Sequence, residues 1–270
     1  MCQMQFLAAG LMMFLVPCAQ ATSLEPVSCL IEAYDTVKLA TPVSGIVSDI
    51  LVDRGDVVSK GDVVARLDSQ VEEISRDLAR ARSTDDSEIE ALKSKVEFLT
   101  AQAERRATLA ERNALSQADA REAALEREVA IHDLERARLA LVLAGLELSQ
   151  AEAVLAQKTL RSPMSGVVTE KLATPGEYRN GESHLATIAR LDLLRVEAFV
   201  PNAYHTTIKI GQTVEVVPEP PFDTPRQATI TVIDRVFDAA TATFGIRMDL
   251  QNADLSLPAG LRCSLRFPGT

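Results

Sequence analysis

Residues 41–47 read TPVSGIV, and residues 162–168 read SPMSGVV. Each segment leads to a glycine turn, RGD at residues 54–56 in the first copy and PGE at residues 175–177 in the second. The matching prolines and glycines of the two copies lie 121 residues apart. Glycine supplies the positive φ that tight turns need, and the β-branched runs between the turns favour strands. The repeat therefore predicts two halves of one small β unit, separated by the chain between them.

Glycines mark the predicted turns and strand starts of both halves. They are Gly45, Gly55 and Gly61 in the first half and Gly166, Gly176 and Gly181 in the second. We place the first half at residues 41–69, after an N-terminal segment at 22–40, and the second half at residues 160–192. Two unrelated hairpins that share common turn residues are the alternative interpretation. Each half is too small to bury much apolar surface alone, so we expect the two halves to pack together.

Helix-forming residues fill the interval at residues 70–159. There is no proline between Pro42 and Pro163, and Ala, Leu, Glu, Arg and Gln predominate. Apolar residues recur at steps of three and four, which is the 3.5-residue period of a coiled coil. The seam residues are Leu92, Val96 and Leu99 in the first part and Leu134, Leu141, Leu148 and Leu155 in the second. Two such seams predict a long antiparallel α-helical coiled-coil hairpin, because the β halves at its base bring its ends together.

Capping residues locate the turn of this hairpin. Ser116 is a good N-cap residue, which predicts one helix from about residue 70 to 113 and a second from about 117 to 158. Each arm would be roughly 60 Å long at 1.5 Å per residue. Residues 83–87 read STDDS, and the phase of the apolar positions changes there. We therefore predict a break in the first arm at this point.

From residue 193 onward, apolar residues alternate with a period of two. The short apolar runs are separated by Gly, Pro, Asn and Asp, which is typical of strands and turns. This pattern predicts a small antiparallel β-barrel at residues 193–270. The predicted fold class is thus α+β, elongated and modular, with the helical hairpin inserted into a split β domain and followed by a barrel.

The N-terminus indicates export. Residues 6–16 form an apolar run too short to span a bilayer, and AQA at residues 19–21 fits the small-x-small rule for signal cleavage, although no Lys or Arg precedes the run. We predict a cleaved signal peptide at residues 1–21, with a lipid anchor at Cys18 as the alternative. Cleavage leaves Cys29 and Cys263. In an oxidising compartment this pair either forms a disulfide or remains two isolated buried thiols.

Composition and motif content exclude several classes of function. The net charge of -10 and the pI near 4.9 disfavour nucleic acid as a partner, since phosphate binding needs a basic face. His132, His184 and His205 are scattered without metal-ligand spacing, so we predict no metal site. No P-loop, dinucleotide fingerprint or nucleophile elbow occurs in the sequence. We therefore predict a protein that is not an enzyme and has no cofactor.

The order of these modules resembles the HlyD-like periplasmic adaptor family, also called membrane fusion proteins, of tripartite efflux pumps, in its RND-associated type. The Pro-x-Ser-Gly-x-Val segments, the hairpin between them and the barrel phrases at residues 195–201, 210–212 and 258–261 carry the resemblance. It covers nearly all of the mature chain. The resemblance implies that the β unit is a split lipoyl-like barrel-sandwich domain.

The same resemblance implies a docking role for the hairpin tip. Members that dock to a TolC-like outer-membrane channel show Arg, then Leu four residues later, then Ser or Asp seven residues beyond. Arg105, Leu109 and Ser116 stand at that spacing in this sequence. A guanidinium offers a forked donor to a partner's carbonyls or carboxylates, and a leucine fills a groove between helices.

The function implied is that of a periplasmic adaptor subunit. It would link an inner-membrane RND or ABC transporter, the RND type being favoured, to a TolC-like channel, and would self-associate into a trimeric or hexameric ring. The protein would lie in the periplasm, held at the inner membrane through its transporter. The alternative is a lipoyl or biotinyl carrier subunit of an enzyme complex. That chemistry needs a lysine on the turn joining the two halves, and here the hairpin replaces that turn.

Overall fold

The computed structural model describes residues 27–267, so the signal peptide predicted at residues 1–21 and the alternative anchor at Cys18 lie outside the described residues. The elements follow one another in this order: β1 (Val27–Ala33), β2 (Thr36–Ala40), β3 (Gly45–Ile50), β4 (Val57–Val58), β5 (Val63–Leu67), α1 (Gln70–Thr84), α2 (Ser87–Glu111), α3 (Gln117–Ala156), β6 (Thr159–Arg161), β7 (Gly166–Lys171), β8 (Tyr178–Arg179), β9 (His184–Ala189), β10 (Leu193–Pro201), β11 (Thr213–Pro218), β12 (Arg226–Asp238), β13 (Thr243–Gln251) and β14 (Leu261–Arg266). They form two compact units. One runs from Thr36 to Ala189, and the other comprises the described residues on either side of it.

The unit formed by the two outer chain segments is a closed barrel with strand order β1-β10-β13-β12-β11-β14. Buried and less buried residues alternate along β10 and β13, as expected for strands with one face on a core. The largest fully buried side chains of this core are Ile31, Leu194, Ile230, Phe244, Ile246, Met248, Leu250, Leu257 and Leu265. The barrel is therefore filled by side chains.

Strand β1 corrects the predicted limits of the barrel. It comes from the segment at residues 22–40, which the sequence prediction places outside both β domains, and it pairs with both β10 and β14. A barrel built from residues 193–270 alone would have lacked this strand. The pairings join residues more than 160 positions apart, for example Cys29 to Ala198, so no local pattern reveals them.

The second unit contains a sandwich of two four-stranded sheets, with orders β2-β9-β7-β4 and β6-β5-β3-β8. Each sheet takes two strands from the chain before the helices and two from the chain after them. Neither half could form a sheet alone, because its strands are distributed over both sheets. Strand β2 also lies in the segment at residues 22–40, so the first half begins at Thr36 rather than at residue 41.

The two halves of the sandwich have the same register at an offset of 121 residues. Val47 pairs with Leu67 in the first half, and Val168 pairs with Ile188 in the second. Both pairings are followed by a register shift at the next residue, one between Val47 and Asp49 and one between Val168 and Glu170. The sequence repeat is thus a structural repeat, including its irregularities.

Three helices lie between the halves. Helices α1 and α2 together form one arm, α3 forms the other, and both α1 and α2 pack along α3. The arms are antiparallel, since Glu72 near the start of α1 contacts Lys158 just after α3, and Lys95 of α2 approaches Asp133. The predicted break in the first arm is confirmed. Helix α1 ends at Thr84, Asp85 has extended backbone angles, and α2 begins at Ser87.

Within residues 27–267, α3 is the one helix that is long and apolar enough to cross a bilayer. Length and composition are weak grounds for a membrane span, because helices of other kinds meet the same criterion. In α3 the apolar residues face two directions. One set packs against α1 and α2, and a second set is exposed.

Candidate docking site at the helical tip

The C-terminus of α2 ends in a Schellman motif. Asn113 has a φ of 57°, its N–H donates to the carbonyl of Ala110, and the N–H of Ala114 donates to the carbonyl of Leu109. Asparagine tolerates this left-handed conformation better than most residues. The last carbonyls of α2 are therefore satisfied within the turn, and the chain reverses direction over a few residues.

Ser116 caps the start of α3, as the sequence predicted. Its hydroxyl oxygen accepts a 3.1 Å hydrogen bond from the backbone N–H of Ala118. The hydroxyl hydrogen of a serine in this role remains able to donate to another group. Ser116 thus fixes the entry into α3 and can still offer a donor at the tip.

The other two residues of the predicted docking motif lie on the last turns of α2. Arg105 is exposed, and it makes no salt bridge with any residue between positions 27 and 267. Leu109 is 44% exposed although it is apolar. The two positions are four residues apart, so they share one face of the helix. The tip therefore presents a free guanidinium beside an exposed leucine, with Ser116 across the turn.

Side chains of the predicted seam meet along the two arms. Leu134 is buried in a cluster with Ile89 and Ala137, against which Leu92, Val96 and Leu141 pack. The other predicted seam leucines, Leu99, Leu148 and Leu155, are half-buried. Towards the tip the most buried positions are alanines, namely Ala103, Ala110, Ala123 and Ala130. Small residues at these positions allow the two helices to approach closely.

Lys158 lies where the second arm returns to the sandwich. Its ammonium is 2.9 Å from a carboxylate oxygen of Glu72, and the two side chains are only 14% and 23% exposed. The hydrogen bond from Lys158 holds the pKa of the Glu72 carboxyl below its ordinary value. A carrier lysine must be free to accept and present its group. Lys158 instead forms an ion pair with Glu72 between the bases of the two arms.

The six glycines predicted at turns and strand starts differ in their backbone conformation. Gly55, Gly61 and Gly176 have φ angles of 97°, 96° and 91°. Gly45 and Gly166 instead begin strands β3 and β7. Gly181 is not among the positive-φ residues of the described chain, and a Cβ there would lie 3.4 Å from the carbonyl oxygen of Thr41.

Cys29 and Cys263 form a disulfide. They are directly paired across β1 and β14, and both are buried in the barrel core. The bond therefore ties the first described strand of the barrel to the last.

The histidines lie in separate surroundings. His132 contacts Glu135 at 3.2 Å on α3, His184 begins β9, and His205 packs edge-on against Phe237 and Phe244. Between residues 27 and 267, His, Cys, Asp and Glu do not gather into a group that could hold a metal ion.

A family model described as "CzcB-like, barrel-sandwich hybrid domain" matches residues 35–190, which is more than half of the chain. The chain belongs to this family. Its assignment to the HlyD-like membrane fusion proteins, which rested on the repeat and the module order, is thereby confirmed. The matched range contains the sandwich and the inserted helices.

This CzcB-like protein is also similar to a curated protein and to solved structures. Nodulation protein NolF of Rhizobium meliloti (strain 1021) is 30% identical over 181 residues, which cover 67% of the chain and 46% of NolF. The chain thus spans about half the length of this curated relative. The crystal structure of MacA from Actinobacillus actinomycetemcomitans aligns with a TM-score of 0.77 at 20% identity, over 91% of the chain and 79% of MacA. The membrane fusion protein Spr0693 from Streptococcus pneumoniae R6 aligns with a TM-score of 0.64 at 17% identity, over 92% of the chain and 100% of Spr0693.

Proposed function

We propose that this chain is the periplasmic adaptor subunit of a tripartite efflux pump. It links an inner-membrane transporter, of the RND type in preference to the ABC type, to a TolC-like outer-membrane channel, and it forms part of the export conduit. Copies of the chain associate in a trimeric or hexameric ring. The protein acts in the periplasm after export by the signal peptide at residues 1–21, and its transporter holds it at the inner membrane.

The main observation in support of this proposal is a helical pair that ends in an exposed Arg and an exposed Leu. Helix α3 has 40 residues, so the pair extends roughly 60 Å from the sandwich at 1.5 Å per residue. At its far end Arg105 and Leu109 are exposed beside a tightly built turn. A forked donor next to an apolar side chain suits the groove between two helices of a partner. The sandwich provides a base, and the tip provides the contact.

The packing of both α1 and α2 along α3 supports this role. In our proposal α1 and α2 form an antiparallel coiled coil with α3, through the leucine and alanine positions of the seam. A helical arm of this length needs a partner helix to stay straight, because most helical stability in proteins comes from packing an apolar face. The relatives also support the proposal, since Spr0693 is named a membrane fusion protein and MacA has the same fold.

The test is the variant Leu109→Asp, placed at the tip. A carboxylate in an apolar groove would lose the leucine's contact and add a desolvation cost, so docking should be abolished while the fold is kept. The measurement is crosslinking of the adaptor to the outer-membrane channel in cells, together with drug resistance. Circular dichroism of the purified variant checks that the helices remain.

Phe98→Asp is the matched control. Phe98 is also exposed on α2, at 64%, but it lies eleven residues before Leu109, away from the turn. We expect this variant to crosslink to the channel as the unaltered protein does. Normal channel crosslinking and normal drug resistance with Leu109→Asp would refute the docking role.

A further inference from the structure

Each arm of the helical pair carries one weak point. In the first arm α1 ends at Thr84 and α2 begins at Ser87, with Asp85 in extended backbone between them. In the second arm Gly145 lies in the interior of α3, and it is the only glycine in residues 62–165. Glycine is, apart from proline, the residue least favoured inside a helix. Each arm is thus locally less stable at one place.

The two weak points lie at the same level of the pair. Ion pairs between the arms identify the residues that face each other, since Arg82 is 4.0 Å from Glu147 and Lys95 is 3.9 Å from Asp133. The position numbers of these two pairs add up to 229 and 228. Gly145 therefore faces the last two residues of α1, directly before the break.

Packing is incomplete where the weak points meet. A cleft of about 200 Å³ is lined by Asp85 and Ile89 of the first arm and by Leu141 and Ala144 of α3. Protein interiors are ordinarily close-packed, so an unfilled space of this size leaves room for movement. A Cβ added to Gly145 would contact nothing within 4 Å outside the backbone of its own helix. Both arms therefore have space for a change in angle.

Hydroxyl side chains compete for backbone carbonyls at both weak points. The hydroxyl of Ser149 donates to the carbonyl of Gly145 at 3.2 Å, and the hydroxyl of Thr84 donates to the carbonyl of Arg80 at 3.1 Å. Bonds of this kind, to the carbonyl four residues earlier, often bend helices. Gly/Ser pairs are also among the few places where helices kink sharply. Gly145 and Ser149 combine both features.

Packing explains the break in the first arm but not the glycine in the second. The apolar positions of the first arm change phase at residues 83–87, so a continuous helix would turn part of its seam away from α3. In α3 the seam continues at steps of three and four from Leu134 to Leu155. Gly145→Ala would create no clash and would favour the helix. The glycine therefore has no packing role that an alanine could not fill.

Ion pairs respect the same boundary. We call α1 with residues 146–156 the basal part of the helical pair, and α2 with residues 117–144 the distal part. In the chain between residues 27 and 267, no ion pair joins the basal part to the distal part. The pairs between the arms are Glu72–Lys158, Arg80–Glu152 and Arg82–Glu147 on the basal side and Lys95–Asp133 on the distal side.

We propose that Asp85 and Gly145 are the two pivots of a hinge within the helical pair. The distal part swings as one body relative to the basal part. Two pivots at one level define an axis that runs from one arm to the other, so the swing is perpendicular to the plane that contains both arms. Helix α2 has 25 residues, so a bend of about 20° moves the tip by roughly 13 Å.

The use of this hinge rests on the proposed function. A docking tip must meet a partner whose position is set by other contacts. Hinges are a few residues at the ends of elements or in loops that absorb a change in backbone angles, while the elements on either side stay intact. A swing at Asp85 and Gly145 would move the tip without altering the capped turn at Ser116 or the strands of the sandwich.

Distances between spin labels on α3 test the hinge. Glu135→Cys with Ala153→Cys places the two labels on opposite sides of Gly145, and Ala124→Cys with Val142→Cys places both labels on the distal part. All four positions are exposed, and each pair is 18 residues apart, which is five helical turns, so both labels project from one flank. A swing of about 20° changes the distance across the hinge by roughly 3.5 Å, for labels about 10 Å from its axis.

The measurement is made by pulsed electron paramagnetic resonance on the full-length chain. We expect a distance distribution for the pair across the hinge that is broader by roughly 3.5 Å in each direction than that of the distal pair. Gly145→Ala should narrow the first distribution to the width of the second, because it removes one pivot. The matched control combines Gly145→Ala with Ala151→Gly, which keeps a glycine in α3 but places it opposite the interior of α1. This control should also give a narrow distribution.

Three results would overturn the inference. They are equal widths for the two label pairs without further substitution, an unchanged width after Gly145→Ala, and a broad distribution in the control with Ala151→Gly. The last result would show that the level of the break is unimportant. The measurement needs no channel, so its outcome is independent of docking. If the hinge is absent while Leu109→Asp still loses crosslinking to the channel, the hinge fails and the docking proposal stands.

Discussion

The backbone N–H of Gly55 donates a 2.8 Å hydrogen bond to the carbonyl of Val168. The same bond occurs 121 residues further on, where Gly176 donates to the carbonyl of Val47, also at 2.8 Å. Each glycine turn thus closes onto a strand of the opposite half. Because the two bonds are related by exchange of the halves, the sandwich has an internal pseudo-twofold symmetry.

This symmetry explains how a long helical pair can be inserted without disrupting the sandwich. The strands on either side of the insertion, β5 and β6, are neighbours in one sheet, with Ala65 paired to Leu160. The symmetry-related pairing joins Leu39 to Ala186. The insertion therefore begins and ends on adjacent strands, which brings the bases of α1 and α3 together at no cost to the β register.

The two strand-starting glycines should respond differently to the same substitution. A Cβ on Gly166 would lie 2.4 Å from the backbone carbonyl oxygen of Ala189, whereas a Cβ on Gly45 would meet the side chain of Leu67 at 3.3 Å. A backbone atom in a sheet cannot move aside as a side-chain methyl can. We expect Gly166→Ala to destabilise the sandwich by about 2–3 kcal/mol and Gly45→Ala by less than about 1 kcal/mol. Urea unfolding of both variants measures the difference, and equal losses would contradict the structural argument.

Much of this fold could be predicted from local sequence patterns. The glycine turns, the break at residues 83–87 and the cap at Ser116 each depend on a few adjacent residues, and the structure has all three. The helical pair follows from periodicity, because a seam repeats many times along the chain. The repeat in the sandwich was visible because two related segments can be compared with each other.

The elements that were missed depend on distant residues. Strand β1 has seven residues and pairs with β10 and β14, whose partner residues lie more than 160 positions further along the sequence. Strand β6 has three residues, which is too few for a pattern of alternation to be visible. The ion pair between Glu72 and Lys158 joins positions 86 residues apart in a stretch where charged residues are frequent. The second, exposed set of apolar residues on α3 was not predicted, because the leucines of this helix were assigned to the seam, although the excess of apolar residues in α3 was a signal for a second face.

Removing the ion pair at the base should weaken the attachment of the two arms. We expect Lys158→Met to lower the free energy of unfolding by about 1–2 kcal/mol at neutral pH, between the values typical of exposed and of buried pairs. The variant leaves Glu72 as a poorly exposed carboxylate without its counter-charge. Urea unfolding followed by helical circular dichroism gives the measurement.

The control for this variant is Arg80→Met. Arg80 pairs with Glu152 at 3.0 Å between the same arms, but both side chains are about half exposed. Arg80→Met should therefore lower the free energy of unfolding by less than about 1 kcal/mol. A loss as large as that of Lys158→Met would show that burial of the pair is unimportant.

The contribution of Glu72 should also depend on pH. Its pKa is lowered in the folded protein, so its stabilising effect is complete above the ordinary glutamate pKa of about 4.3 and is lost as the pH falls through the lower folded value. The stability difference between the unaltered protein and Lys158→Met should hence be constant from neutral pH to about 5 and shrink below about 4. A difference that grows on acidification would mean that the carboxylate is not the partner of the lysine.

Loss of the disulfide should loosen the barrel alone. The bond joins β1 to β14, which are also hydrogen-bonded neighbours, and it closes a loop that contains the whole sandwich unit. Replacing both cysteines, Cys29→Ala with Cys263→Ala, should lower the free energy of opening the barrel by about 2–4 kcal/mol. Hydrogen exchange measured by mass spectrometry should show faster exchange in β1 and β14 and unchanged exchange in β3 and β7. Equal acceleration in both units would show that they unfold together.

Two substitutions at Ser116 separate its capping role from its hydroxyl donor. Ser116→Ala removes the acceptor for the N–H of Ala118, so it should destabilise the start of α3 by about 1 kcal/mol and weaken channel docking.

An aspartate caps a helix as well as serine does, but it offers no hydrogen-bond donor when it is ionised. If the cap is what docking requires, Ser116→Asp should crosslink to the channel as the unaltered protein does. If the hydroxyl must donate to the channel, Ser116→Asp should fail although its α3 start is as stable as before. We expect the first result, because the turn positions Leu109 and Arg105 relative to α3, and that geometry depends on the cap rather than on the donor.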